Sequence, residues 1–196
     1  MKLLIKNGRI VDPSQNLDKV MDLLLADGKV AKLAEHITDV ADETYDASGK
    51  VVAPGFIDMH THMREPGLEA KESIRTGTMA AAAGGITTIA CMPNTKPAVS
   101  NSIVVTGIKA RAAEEGYANV EVIGSISKDQ KGTELAEMGD MLEKGAVAFS
   151  DDGHYVDSSR LLLNAARYIS NFGAPLISHS IESELNADGY MHEGAG

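Results

Sequence analysis

From residue 55 onward the chain keeps one rhythm, and that rhythm limits the folds open to it. A short apolar run is followed by a polar turn, then a helical stretch closed by glycine, then a further apolar run. The apolar runs begin near residues 55, 86, 120, 146 and 175. Between them, helices are predicted over residues 69–83 before Gly84-Gly85, and from a cap at Ser100 or Asn101 to about Glu115 before Gly116. Thr133 caps a third helix running to Lys144 before Gly145, and Ser158 or Ser159 begins a fourth through Arg167 and Asn171 to Gly173. Strands separated by whole helices cannot return as hairpins, so they lie parallel with the helices packed outside. Five such strands suit an open doubly wound sheet, or the first part of a (β/α)8 barrel, which takes eight strands and about 250 residues. No Gly-x-Gly-x-x-Gly follows the first strand, which counts against a dinucleotide-binding sheet.

The first fifty residues read differently. Residues 3–6 lead through Asn7-Gly8 to residues 9–11, and residues 20–26 lead through Asp27-Gly28 to residues 29–33; both dipeptides signal hairpins. Residues 46–50 make one more turn before Val51. Residues 1–52 thus form a small β unit, too small to bury a stable core alone, and residues 53–196 form the α/β part. An apolar share of 43% over 196 residues is enough to build a core. A formal charge of −10 without a dense basic patch argues against a nucleic-acid partner. No apolar run is long enough for a membrane span, and the first residues lack the pattern of a secretory signal. Cys91 is the only cysteine, which points to the cytoplasm; inside an apolar run it reads as a buried small hydrophobe, not a nucleophile.

The polar residues favour the barrel. Residues 51–57 read as a short buried strand, and alternate residues of an extended chain share a face, so Asp58, His60, His62 and Arg64 point together. An isolated His-x-His is most simply two solvated side chains on an edge strand. Here the pair follows an apolar run and shares its face with an acid and an arginine, too much charge to bury without a partner. Two imidazoles one residue apart can close on one metal ion, and a metal site is predicted. Asn94 follows the second strand, Asp151 and Asp152 follow the fourth, and His179 closes the fifth. All fall at C-terminal strand ends, where barrel active sites are built. Each alone has a plainer reading: Asn94 as a turn residue after Pro93, Asp151-Asp152-Gly153 as a helix-capping turn, His179 as a core histidine bonded to backbone.

Four motifs carry a resemblance: residues 54–67 (Pro-Gly-Phe-Ile-Asp-Met-His-Thr-His-Met-Arg-Glu-Pro-Gly), residues 92–95 (Met-Pro-Asn-Thr), residues 149–153 (Phe-Ser-Asp-Asp-Gly) and Ser178-His179. With them the chain resembles the class I, bacterial-type dihydroorotases of the metal-dependent amidohydrolase superfamily, over essentially its whole length. The resemblance implies a (β/α)8 TIM barrel, about the first five strands of it present, with a small β sandwich whose N-terminal part is matched by residues 1–52. It implies Zn2+, two ions per complete site, with His60 and His62 on the first, His179 on the second and Asp152 bridging them. Asp152 is preferred to Asp151 from the family's spacing to His179. His62, Arg64 and Asn94 would bind substrate, Arg64 and Asn94 gripping its carboxylate. The implied reaction is the reversible, zinc-dependent hydrolysis of the cyclic amide of dihydroorotate to N-carbamoyl-L-aspartate in pyrimidine biosynthesis. Hydantoinases resemble the chain at His-x-His but usually carry a metal-bridging carboxylated lysine on the fourth strand, and no lysine follows Lys144 here.

The family pattern runs past residue 196, with a further zinc-binding histidine near the sixth strand and a proton-shuttling aspartate at the eighth. The expectation is an N-terminal portion, fragment or truncated product, inactive as a lone chain. His192, in the segment leading toward the sixth strand, is expected to be a loop residue, and Ile181 stands where many relatives have an acid. Two other readings are a hydantoinase- or allantoinase-type cyclic amidase and a non-catalytic partner of aspartate transcarbamoylase. Retention of His60, His62, Asp152 and His179 speaks against the second. The implied partners are a small-molecule substrate, a second copy of the chain and aspartate transcarbamoylase, with neither nucleic acid nor membrane.

Overall fold

A computed structural model describes residues 1–181, so the segment containing His192 lies outside the described residues. The chain divides into two compact units, Met1–Gly55 and a second beginning at Phe56. In the first, β1 (Lys2–Asp12), β2 (Leu17–Ala26) and β3 (Lys29–Ala34) run antiparallel in turn. Asp27 and Gly28 both take positive φ, 49° and 76°, and join β2 to β3 in the predicted hairpin. Asn7-Gly8 does not turn the chain. Such a hairpin needs positive φ at both positions, and here only Asn7 has it, at 60°. β1 continues through as a bulge, with Ile5 opposite Leu23 and Gly8 opposite Met21. The Asn7 amide thus freed donates to Asp22 Oδ1 at 2.9 Å, and Asp22, 1% exposed, takes the Ile37 amide on its other oxygen at 3.0 Å. β4 (Glu43–Asp46) and β5 (Val51–Val52) pair in parallel with the two halves of β1, and Leu4, Leu24 and Ile37 form the unit's buried core.

The second unit alternates β6 (Phe56–Thr61), α1 (Ile74–Ala83), β7 (Ile86–Cys91), α2 (Ser102–Glu115), β8 (Asn119–Gly124), α3 (Met138–Glu143), β9 (Ala146–Ser150), α4 (Ser159–Ser170) and β10 (Leu176–Ile177). The five strands are parallel and lie in the order β10-β9-β8-β7-β6. A doubly wound sheet reverses direction at a switch point, whereas sequential order is that of a barrel wall. Alternate strand residues separate two cores. Ile89, Val122 and Phe149 pack toward Ile74, Val105, Met141 and Ala165 of the helices, while Met92, Ile123 and Ala148 form a second cluster with Ala90 and Ile177. No helix among the described residues is long and apolar enough to cross a membrane.

Three local expectations are corrected. β6 is not buried: Phe56 and Ile57 are each 66% exposed and Met59 73%, because β6 pairs with β7 alone among the described residues. α1 starts at Ile74, not Glu69. Ser73 accepts the Thr76 amide while Thr76 Oγ1 accepts the Ser73 amide, a capping box that fixes the first turn there. The third helix loses residues 133–137, whose backbone is claimed elsewhere: Lys128 N–H donates to Glu134 O and Ala136 N–H to Ile126 O, each at 2.9 Å. For the other two helices the choice of cap is settled, Asn101 taking the Ile103 and Val104 amides and Ser158 the Leu161 amide.

Candidate metal centre

β6 delivers His60 and ends at Thr61, so His62 is the first residue beyond the strand's last ladder position. β9 ends at Ser150 and delivers Asp152 from the turn that follows. His60 Nε2 lies 3.2 Å from Asp152 Oδ1 and His62 Nε2 lies 3.5 Å from Asp152 Oδ2. The two rings meet edge to face, their centroids 5.2 Å apart at 67°. One ligand atom from each of the three residues falls within 4.8 Å of the others. Asp152 is buried, its side chain 7% exposed, while the histidines are open to solvent on one side.

The tautomer of His62 follows from its other nitrogen. Nδ1 sits 3.0 Å from Asn94 Oδ1. A carbonyl oxygen has no proton to give, so Nδ1–H donates and Nε2 keeps its lone pair in the neutral ring. That lone pair faces a carboxylate oxygen, acceptor toward acceptor, which a metal cation or a second ring proton between them resolves. Two imidazole nitrogens and a carboxylate are a donor set that suits zinc. His179 Nε2 reaches Asp152 Oδ1 at 3.9 Å, outside the close group of three, and its Nδ1 is buried without a hydrogen-bond partner among the described residues. The nitrogen that faces the shared carboxylate is Nε2, and it fits a second ligand position; the orphaned Nδ1 is the other nitrogen of the ring.

Arg64 departs from the predicted alternation. The strand has ended, and Arg64 turns at φ 60°. Its guanidinium makes no ion pair with another described residue, because the adjacent Glu65 is committed elsewhere: Oε2 accepts the Ile74 amide and Oε1 accepts from Arg111 Nε, each at 2.8 Å. Asn94 follows β7 and is half-buried beside His62. Asp58 stays local, its Oδ1 accepting the His60 amide at 3.1 Å.

A family model described as "Dihydro-orotase-like" matches residues 49–195. The chain belongs to that family. It is 52% identical over 194 residues to the dihydroorotase of Pelotomaculum thermopropionicum, covering 99% of this chain and 45% of that one. To the dihydroorotase of Geobacter sulfurreducens it is 50% identical over 195 residues, covering 99% and 46%. The chain thus spans about half the length of the curated relatives it matches. Among solved structures, the L-hydantoinase of Arthrobacter aurescens superposes with a TM-score of 0.81 at 26% identity, covering 96% of this chain and 44% of that one. A solved dihydroorotase, at 15% identity and a TM-score of 0.65, shares the fold. The parallel sheet is accordingly part of an amidohydrolase barrel.

Several contacts around the centre of this dihydroorotase-like chain escaped the sequence reading. Asp151 is 2% exposed and turned away from the histidines. It accepts the amides of Ile126 at 2.8 Å and Ser127 at 3.1 Å, and the Ser127 hydroxyl. Gln130 Nε2 donates to Asp152 O and the Asp152 amide donates to Ser150 Oγ, each at 3.1 Å, so the backbone at Asp152 is tied on both sides. The loop carrying Arg64 is laced to the loop carrying Asn94: Lys96 N–H donates to Pro66 O at 2.9 Å, and Gly67, at φ 91°, approaches so closely that a Cβ would stand 1.9 Å from Lys96 O. The glycine in the Arg-Glu-Pro-Gly motif is the one signal that could have announced that approach. Cys91 is 3% exposed and its thiol is pushed up to about 12 by burial, which leaves no thiolate for nucleophilic work.

Proposed function

We propose that the protein is a zinc-dependent dihydroorotase acting in the cytoplasm, opening the cyclic amide of dihydroorotate to N-carbamoyl-L-aspartate and closing it in reverse. The convergence of His60 Nε2, His62 Nε2 and the Asp152 carboxylate at the C-terminal ends of β6 and β9 carries this reading. Dihydroorotase-like family membership supports it. His60 and His62 would hold one zinc, Asp152 would bridge to a second, and His179 would hold that one. Bound zinc supplies water activation near neutral pH and polarisation of an amide carbonyl. The chain's own residues do the rest. Arg64, with no acid paired to it among the described residues, offers a planar fork to the substrate carboxylate. Asn94 adds an amide donor. The Ser150 and Gln130 bonds keep the Asp152 backbone from swinging, which fixes the point from which its carboxylate reaches the histidines. Asp152 also occupies the place where hydantoinases usually carry a modified lysine, which favours dihydroorotate over hydantoin.

The test uses the full-length gene product that carries this sequence. Zinc content, and turnover of dihydroorotate, hydantoin and allantoin, are measured on one sample. The expected result is close to two zincs per chain, turnover of dihydroorotate ahead of the other rings, and loss of turnover on chelation. Faster opening of hydantoin or allantoin would reassign the substrate, and full activity in a zinc-free sample would remove the metal. Light scattering on that sample, with and without aspartate transcarbamoylase, reads whether the protein pairs with itself or with that enzyme.

A further inference from the structure

We propose that Asn94 is a positioning residue for His62, and that its single carboxamide couples metal holding to recognition of the substrate anion. The anion half rests on the dihydroorotase reading; the metal half does not.

The backbone fixes where Asn94 stands. Pro93 is buried, and its carbonyl accepts the amides of Thr95 at 2.8 Å and Val99 at 3.1 Å, closing a tight turn around residue 94. From there the side chain spans two elements of the centre. Oδ1 takes His62 Nδ1–H at 3.0 Å, and Nδ2 lies against Gly153, where a Cβ would stand 3.3 Å away. Gly153 directly follows Asp152, so the amide is wedged between one ligand histidine and the turn of the ligand carboxylate.

The two orientations of such an amide have different consequences. With Oδ1 on His62, the ring is protonated at Nδ1, and Nε2 is free for a metal. With the amide reversed, Nδ2–H would donate to Nδ1, the ring proton would move to Nε2, and Nε2–H would point at Asp152 Oδ2 and close the metal position. A substrate carboxylate can bind only the NH2 end. Committing that end to the anion commits Oδ1 to His62, so the orientation that receives the substrate is the orientation that readies the metal ligand. Hydrogen-bond partners of ligand histidines act in this way, and their loss typically weakens metal binding about 10- to 100-fold.

Three substitutions and one spectrum test this, with Zn2+ itself as the probe in competition with a chromophoric chelator. In the zinc-free full-length protein labelled with 15N-histidine, two-bond NMR correlations should show His62 protonated on Nδ1. N94A should bind zinc about 10- to 100-fold more weakly. N94D keeps the acceptor and loses the donor, so its zinc affinity should equal or exceed that of the parent. At saturating zinc, N94D should raise KM for dihydroorotate by about tenfold or more, the loss of one charge-compatible anchor. H62A sets the floor for zinc binding. A parent His62 protonated on Nε2 would overturn the proposal, as would an N94A protein that binds zinc like the parent. If N94A does not fold, an N94D protein that falls to the H62A level overturns it. If the zinc and NMR results hold while the parent fails to open dihydroorotate, the positioning role stands and the substrate reading falls.

Discussion

Asp151 and Asp152 are adjacent, alike and assigned to opposite tasks. The turn after β9 sends Asp152 toward His60 and His62, and sends Asp151 onto the backbone of residues 126 and 127. Asp151→Asn should therefore act on stability first. The amide turns one acceptor into a donor against donors, which costs about 1–3 kcal/mol for a buried polar group left unmatched. A fall in the urea midpoint, accompanied by weaker zinc binding through the displaced Asp152, is the expected outcome. Asp152→Asn should do the reverse, losing zinc while its urea midpoint stays close to that of the parent. Alternation along an extended chain pointed His60 and His62 the same way, and the resemblance to the family pointed to Asp152, which the structure brings beside both. Alternation was not enough for Arg64, which lies three residues past the last ladder position and turns at φ 60°, whereas His62 follows Thr61 directly. Nor could it find the work of Asp151, Glu65 or Arg111, since each bonds to residues far off in the chain by contacts that leave no periodic trace.

The elements themselves were legible wherever a local signal set them. Asn101, Ser158, Gly84 and Gly116 bound their helices as their side chains or lack of one dictate. The misplaced boundaries share one cause: a competing hydrogen bond to a distant segment, as with residues 133–137, or a cap deeper in the sequence, as with Ser73. Ser73→Ala removes both bonds of that capping box and should cost about 1 kcal/mol, read as a lowered urea midpoint. Gly67→Ala should be worse. Its φ of 91° disfavours any side chain, and the Cβ would collide with the Lys96 carbonyl, so a loss above about 1 kcal/mol is expected. The same change parts the loops carrying Arg64 and Asn94. On the proposed reading, its KM for dihydroorotate should rise more than its zinc affinity falls, because His60, His62 and Asp152 themselves are untouched.

At the scale of the molecule, the N-terminal unit and the barrel segment have separate cores, and acid should find them unequally resistant. Burial of Asp22 opposes its charge, but the amides of Asn7 and Ile37, with Lys6 and His36 nearby, outweigh it and hold the carboxyl below its usual 3.8. A lowered folded value means the stabilisation is whole above 3.8 and is lost as pH falls through the folded value. Hydrogen-exchange protection at Asn7 and Ile37 should drop in that acid range, and Asp22→Asn should flatten the dependence. The alternation of strand and helix was readable because each strand announces itself by an apolar run and each helix by its glycine stop, and the polar residues at the strand ends favoured a barrel over an open sheet. The exposure of β6 was not, because burial depends on neighbours in space. The order of strands has one more consequence, for synthesis on the ribosome. Every strand from β7 to β10 pairs with the strand translated just before it, so the wall can grow rung by rung, with little chain left waiting for a distant mate. The nascent chain presents His60 and His62 at the first rung, but Asp152, the third member of the candidate metal group, arrives only when β9 has docked. On the proposed reading, metal retention by the growing chain would mark the moment when the fourth rung is laid.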